Sequence, residues 1–422
     1  MIISRLSILL TLFASPVAVS SDRGEIHLKI SPKTMPTGIS DFTATYFDGK
    51  ITTSDDKDHS RSIVLLGGCS DENGNKWVGE GDYPGFYCMD FTNEATVFFP
   101  ATQEFSSIQG MPEERTQHST VAVDGKLYVI GGRDKNQALI SNVIVFDPEN
   151  QQWSEYITLD GNHEVSDHGS VARDGLIYVF GGYTSGYEAK TSTFSINTKD
   201  GGKIKDLEPL PTGRGDIAAV HYDHGSIDGA YVIGGFTHVN NFCAPFATVE
   251  RYDFKSDSWM VSKTTTDLGK ERGDKAAVVM DKMILSIGGE DKHEDMCSEA
   301  SGTALDPFQH SVGIDEIESF NPRKGDEGWQ YESNLPEIRF RTAAAVDEKE
   351  NVLYVFGGQK AYNAQCDCYK TSDKIFTFEG EKGGLSTTAI VLISGACVAV
   401  FLSIAGYCFC VRKPSEIEAV SA

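Results

Sequence analysis

One short phrase returns six times along this chain: IVLLGG from Ile63, LYVIGG from Leu127, IYVFGG from Ile177, AYVIGG from Ala230, ILSIGG from Ile284 and LYVFGG from Leu353. Each is a run of strand-forming residues stopped by two glycines, the pattern of a buried strand that ends in a sharp reversal. The first glycines stand at 67, 131, 181, 234, 288 and 357, so the unit is about 50 to 70 residues long. A self-similar period of that length builds an array in which each unit buries its apolar face against the next. It also explains how about 365 residues between the two ends form one module, although a single core rarely grows that large.

The units carry more than the glycines. His118-Ser-Thr-Val-Ala-Val-Asp-Gly-Lys126 alternates like a half-buried strand and ends in Asp124-Gly125, the chemistry of a two-residue hairpin turn; Asp174-Gly175 repeats it. Downstream, an aromatic residue is followed by a tryptophan in Phe146 with Trp153, Tyr252 with Trp259 and, more loosely, Phe320 with Trp329. No Gly-His or Trp-Asp signature accompanies them. With these features the sequence resembles the kelch-repeat family. The resemblance implies an all-β, six-bladed kelch-type β-propeller in which each repeat is a four-stranded blade and the double glycine closes the second strand.

The sixth unit has a third strand near 374–378 and then runs through Gly383-Gly384 without a fourth. A sheet edge left open in this way is an aggregation liability. The segment Glu25-Ile-His-Leu-Lys-Ile30 alternates like a strand, and Met35-Pro36-Thr37-Gly38 with Asp41 echoes Leu210-Pro211-Thr212-Gly213 with Asp216. The N-terminal strand, about 25–33, is therefore expected to complete the last blade and close the ring.

The ends set the compartment. Residues 1–20 read as a signal peptide, with Arg5, an apolar core from Leu6 to Phe13 and small residues Ala18 and Ser20. Residues 385–411 read as one C-terminal transmembrane helix: Ala389 to Val411 is an uncharged apolar run long enough to cross a bilayer. Arg412 and Lys413 follow, which puts the tail 412–422 in the cytoplasm and the propeller, 21–384, outside the cell or in an endomembrane lumen, as a single-pass type I protein. Gly395, Ala399 and Ser403 form a small-residue stripe that would permit a homodimer, and Cys408 and Cys410 sit where palmitoylation occurs. The chain's net charge is −24; the signal segment carries +1 and the tail sums to zero, so the propeller carries −25. Such a surface repels phosphate backbones and excludes nucleic acid as a partner.

In a four-stranded meander the loop after the second strand and the junction to the next blade emerge on one face. The stretches after the double glycines are long in the first blade (about 69–85), the fifth (about 290–313) and the sixth (about 359–372), intermediate in the fourth and short elsewhere. Long loops on a rigid ring are where recognition concentrates. Trp77, His293 and Tyr362 are the candidate contact residues in these loops. The blade junctions add a recurring charged set, read as a polar ring at the channel mouth: Arg115 and His118, Asp167 and His168, Arg214 and Asp216, Arg272 and Asp274, Arg339 and Arg341. Six cysteines, Cys69, Cys88, Cys243, Cys297, Cys366 and Cys368, lie in or beside the same loops. In an oxidising compartment they read as disulfides, with Cys243 joined to Cys297 and the other four pairing among themselves across the closing seam.

Catalytic signatures are absent: there is no GxSxG, HExxH, phosphate-binding loop or dinucleotide fingerprint. Asp71, Asn73, Asn75 and Asp82 imitate the oxygen spacing of a calcium loop, but glycine stands at the fourth position instead of the sixth. No cofactor, metal or catalytic residue is assigned. The expectation is a membrane-anchored module that binds a protein or glycan ligand in a receptor, adhesion or sorting role. The alternative is a membrane-tethered propeller enzyme acting on a sugar or small polar substrate.

Overall fold

The computed structural model describes residues 26–53, 58–70, 75–78, 85–240, 242, 244–260, 267–291 and 312–380. Six four-stranded antiparallel sheets follow one another around a central axis. Blade 1 is Thr43–Thr52, Asp58–Leu66, Ala95–Phe99 and Glu104–Ser107; blade 2 is Ser119–Val123, Lys126–Ile130, Asn142–Asp147 and Gln152–Thr158. Blade 3 is Gly169–Arg173, Leu176–Phe180, Thr193–Asn197 and Lys203–Asp206; blade 4 is Ala218–His224, Ile227–Ile233, Val249–Asp253 and Ser258–Met260. Blade 5 is Ala276–Met280, Met283–Asp291, Val312–Phe320 and Gln330–Asn334; blade 6 is Ala343–Asp347, Val352–Phe356, Lys374–Glu379 and, from the start of the chain, Lys29–Thr34. That last strand pairs antiparallel with Lys374–Glu379, with Lys29 opposite Thr377 and Thr34 opposite Lys374.

The core lies between blades. Successive side chains of a strand face opposite sides of its sheet, so each blade feeds two interblade layers. From blade 2, Leu127, Val129, Ile144 and Phe146 pack on Val64, Leu66, Val97 and Phe99 of blade 1. Their neighbours Tyr128, Ile130, Val143 and Val145 pack on Ile177, Val179, Phe194 and Ile196 of blade 3. The aromatic pairs sit at the outer strands: Phe146 with Trp153 at 4.8 Å, Tyr252 with Trp259 at 5.3 Å, and Phe320 stacked on Trp329 at 5.4 Å. Two indoles also reach the preceding blade, Trp153 Nε1 donating to the Gln109 carbonyl and Trp259 Nε1 to that of Glu208.

The double glycine has one job in all six blades. The first member adopts φ of 54° to 60° and the second 84° to 115°, both in the left-handed region. A Cβ on the first glycine would come closer than 3.0 Å to a backbone carbonyl of the next junction, that of Arg115, Val165, Arg214, Arg272, Arg339 or Ile39. The same six carbonyls accept the N–H of the second glycine at 2.8 to 3.0 Å. Each pair is therefore where one blade is stitched to the next, and only glycine admits that approach.

The sequence reading of the ends falls outside what is described: residues 1–25, including the signal segment, and 381–422, including the 385–411 run. Among the described residues no helix is long and apolar enough to cross a membrane.

Candidate functional site

The glycine pairs and the junctions share one face. The residue after each pair bridges the junction that leads into its own blade: Ser40 with Cys69, Thr116 with Arg133, Ser166 with Tyr183, Gly215 with Phe236, Gly273 with Glu290 and Phe340 with Gln359. On this face the loops of blades 1 and 6 join in a three-stranded sheet of Cys368–Tyr369, Asn75–Val78 and Gly85–Tyr87, with Cys368 opposite Lys76 and Tyr369 opposite Asn75. In blade 5 the second and third strands run on past Gly288-Gly289 as a ribbon, pairing Glu290 with Gly313 and Asp291 with Val312.

At the axis, on the same face, the residue just before each inner strand's entry takes a left-handed backbone, with φ between 50° and 57° at Asp41, Gln117, Asp167, Asp216, Asp274 and Arg341. Their backbones form a closed circle. Each N–H donates to the carbonyl of the preceding member at 2.7 to 3.2 Å: Gln117 to Asp41, Asp167 to Gln117, Asp216 to Asp167, Asp274 to Asp216, Arg341 to Asp274 and Asp41 to Arg341. Every member comes from a different blade, so this circle ties the whole propeller at its mouth.

Its side chains are four carboxyls, one amide and one guanidinium. Arg341 Nε lies 3.1 Å from Asp274 and 3.7 Å from Asp41, and Ser40 donates to Asp41 at 2.7 Å. On the other half of the circle, the Asp167 carboxyl stands near that of Asp216, and the Tyr183 hydroxyl donates to Asp216 at 2.8 Å. Burial raises the Asp41 carboxyl against the pull of Arg341, and burial pushes Asp167 up to about 6. Burial, with Asp274 and Asp167 adding, holds Asp216 well above the usual range. Burial alone would lower Arg341, but Asp274, Asp41, Glu290 and Asp216 outweigh it and keep the guanidinium firmly charged. Just below the circle, burial brings Lys275 down to about 7, with its Nζ donating to the Asp216 carbonyl. The mouth is thus an acidic collar around one charged guanidinium. Among the described residues no three His, Cys, Asp or Glu side chains are disposed to hold a metal ion.

The sequence-derived set divides on this geometry. Asp167, Asp216, Asp274 and Arg341 meet in the collar. Arg115, Arg214, Arg272 and Arg339 do not reach it: all four are almost wholly buried and point outward beneath the loops. Arg115, Arg214 and Arg272 donate to the carbonyl of the first glycine of their own blade, Gly131, Gly234 and Gly288. Each also pairs with a glutamate, Glu113, Glu250 and Glu318 in turn, and Arg339 meets Glu337 and Ser372. The reading of a polar ring made by every junction charge is corrected accordingly. A junction arginine two residues before the collar clamps its blade because its side chain lies over the sheet and not over the axis. His118 and His168, one residue after the collar, wedge between blades. His168 Nε2 lies 2.7 Å from the Ser119 hydroxyl, and burial lowers both imidazoles, His168 to about 3.

Of the loop candidates, Tyr362 is half-buried against Tyr369 and donates to Asp367. Trp77 lies in the middle strand of the small sheet, its side chain outside the described part, and His293 is outside the described residues. Cys69 is bonded to Cys88, with Cα atoms 5.8 Å apart, and Cys366 to Cys368, at 5.2 Å. These four cysteines pair among themselves, but each bond stays within one loop, and the seam is crossed by the strand pairing instead. Cys243 and Cys297 are outside the described residues. The sequence reading missed Asp41, Gln117 and Tyr183 as members of this site. Aligning the units on their glycines puts Gln117 in register with Asp167 and Asp274, each 14 residues before the first glycine, whereas Asp41 is matched to Asp216 by the Met35-Pro36-Thr37-Gly38 and Leu210-Pro211-Thr212-Gly213 echo.

Comparison with known proteins agrees with this architecture. The solved structure of YjhT superposes with a TM-score of 0.59 at 14% identity, covering 81% of this chain and 95% of that one, and shows the same fold. Kelch-like protein 21 of Rattus norvegicus is 35% identical over 69 residues, which is 16% of this chain and 12% of that protein. Kelch-like protein 21 of Danio rerio is 28% identical over 102 residues, 20% of this chain and 17% of that protein. Kelch-like protein 15 of Danio rerio is 32% identical over 59 residues, 14% and 10%. The chain thus spans less than a fifth of the length of these curated relatives. The Attractin/LZTR1 β-propeller family matches residues 85–312, from the blade 1 loop to the blade 5 ribbon and more than half of the sequence. With six glycine-stitched blades behind that match, the chain is a kelch-type propeller and belongs to the Attractin/LZTR1 β-propeller family.

Proposed function

We propose that the chain is a membrane-anchored binding module, in a receptor, adhesion or sorting role, that holds a protein or glycan ligand on its loop-rich face. The observation that carries this reading is the joining of the blade 1 and blade 6 loops into one small sheet beside the acidic collar. Loops tied to each other and to the ring lose less freedom when a ligand arrives. Shared fold with kelch-like proteins supports protein binding as the class of activity.

Chain direction supports the same face. The last described strand, Lys374–Glu379, runs from the loop-rich face to the opposite one, where Gly380 donates to the Asn351 carbonyl beside the blade 6 hairpin turn. The apolar run starts at Ala389. The intervening segment reaches at most about 30 Å when extended. In the membrane reading, the hairpin face is therefore held near the bilayer and the loop-rich face is presented away from it.

The test replaces Tyr362, Trp77, His293 and Arg341 singly by alanine in the full-length chain, confirms folding by thermal melt, and measures binding to the partner recovered with the wild type. Loss of about tenfold or more at two of the four is the expected result, since aromatic and arginine side chains dominate such interfaces. Unchanged binding in all four would overturn the assignment of the face.

A further inference from the structure

We propose that the Cys366–Cys368 bond is a thiol–disulfide exchange site, which takes an external thiolate at Cys366 Sγ and on opening uncouples the blade 6 loop from the blade 1 loop. Only its effect on ligand binding rests on the function proposed above. A disulfide stabilises a fold chiefly by restricting the unfolded chain, and more so the longer the loop it closes. Cys69–Cys88, with a separation of 19 residues, does that ordinary work; Cys366–Cys368, with a separation of 2, closes almost no loop. Its role must therefore lie in what it shapes locally.

What it shapes is the turn that launches the seam strand. Asn363 donates to the Cys368 carbonyl at 2.9 Å, and Cys366 donates to that of Asn363 at 3.2 Å. Between the two sulfurs Asp367 is held at φ 50°, a left-handed backbone that Asp tolerates, and its carboxylate accepts from Tyr362. The very next residue, Cys368, begins the strand that pairs with Asn75 and Lys76 of blade 1. The bond thus fixes the geometry of a ladder that joins the two loops.

Access to the two sulfurs is unequal. Cys366 is exposed, whereas Cys368 is fully buried. An incoming thiolate meets Cys366, and exposed disulfides are the labile ones. In Cys69–Cys88, by contrast, Cys69 is fully buried and Cys88 half-buried. The exchange balances as follows. The thiolate of a dithiol forms a bond to Cys366 Sγ, the Cys366–Cys368 bond breaks, and Cys368 leaves as a thiolate that takes a proton. The second thiolate of the dithiol then attacks its own sulfur in the mixed disulfide and releases Cys366. The dithiol is oxidised to a disulfide, and the two electrons reside on the two protein thiols.

The purified full-length chain is exposed to graded dithiothreitol and reduced glutathione, trapped with N-ethylmaleimide and mapped by mass spectrometry, with amide exchange followed in parallel. Cys366 and Cys368 are expected to become alkylated at least about tenfold faster than Cys69 and Cys88. Protection should fall in segments 75–78 and 368–369 while the inner strand Ser119–Val123 stays protected. The double variant Cys366→Ser, Cys368→Ser should show that low protection without reductant. Reduction of both bonds together, slower reduction of Cys366–Cys368, a native link from either cysteine to another loop, or unchanged protection at 75–78 after reduction would each overturn the proposal. None of these readouts needs a ligand, so failure to find a partner leaves this result intact.

Discussion

At the scale of single residues the glycines and the collar carry the account. Gly131 and Gly125 both have positive φ, 55° and 75°, but a Cβ on Gly131 would strike the Val165 carbonyl while one on Gly125 meets nothing within 4 Å. Gly125→Ala should lower stability by about 1 kcal/mol, the backbone term alone, and Gly131→Ala by about 3 kcal/mol or more, as read from denaturant midpoints. Equal losses would mean that the stitch between blades is not what requires glycine. The collar predicts a pH signature. Asp167 is raised in the folded state, so the fold holds its proton more tightly than the unfolded chain does, and this term favours the fold least above pH about 6. The difference in stability between Asp167→Asn and wild type should therefore shift in the variant's favour as pH rises from about 4 to about 7. His168, lowered to about 3, works in the opposite sense: it contributes stability above its ordinary pKa that is lost as pH falls, so a His168→Gln variant should gain on wild type toward acid. Using each variant against wild type in the same buffer separates the two slopes.

The roles of these residues were only half legible in the sequence. Arg115 and Arg341 look alike as junction arginines, yet one clamps a glycine carbonyl and the other faces four carboxyls, because they stand two residues apart in register. A one-dimensional list of charges does not contain that register until the units are aligned.

At the scale of elements, strand count and blade order could be read from the repeated phrase because strand propensity, turn chemistry and glycine position all repeat together. The need for a fourth strand in the last blade could also be read, since an open edge has to be covered. The blade 5 ribbon could not: Gly288-Gly289 signals the end of a strand, yet the ladder resumes through a bulge at Gly289. Nor could the disulfide partners be, because adjacency around a ring does not distinguish a bond within a loop from one between loops. The closing strand is more than a paired edge. Ile26 and Leu28, just before it, are buried with Leu335, Val346 and Phe376 of blades 5 and 6, and the Ser333 hydroxyl donates to the Ile26 carbonyl. Leu28→Ala should lower stability by about 2 to 4 kcal/mol, and deletion of residues 26–34 should abolish cooperative unfolding in a thermal melt. A deletion variant that melts like wild type would show that the ring closes without this strand.

At the scale of the whole molecule, the circle of six backbone hydrogen bonds and the six glycine stitches make the two faces unlike. One carries the collar and the long loops; the other carries hairpin turns such as Asp124-Gly125 and Asp174-Gly175. Fold and faces come from local patterning, but the ligand does not, because recognition lies in loops that share no period with the blades. The most direct measurement is face-resolved photocrosslinking of the full-length chain in cells that express it, with a photoreactive residue placed singly at positions 362 and 137 on the loop-rich face and at 125 and 200 in the opposite turns. Adducts with one partner class from 362 or 137, and none above background from 125 or 200, are the predicted result; adducts confined to 125 and 200 would contradict it.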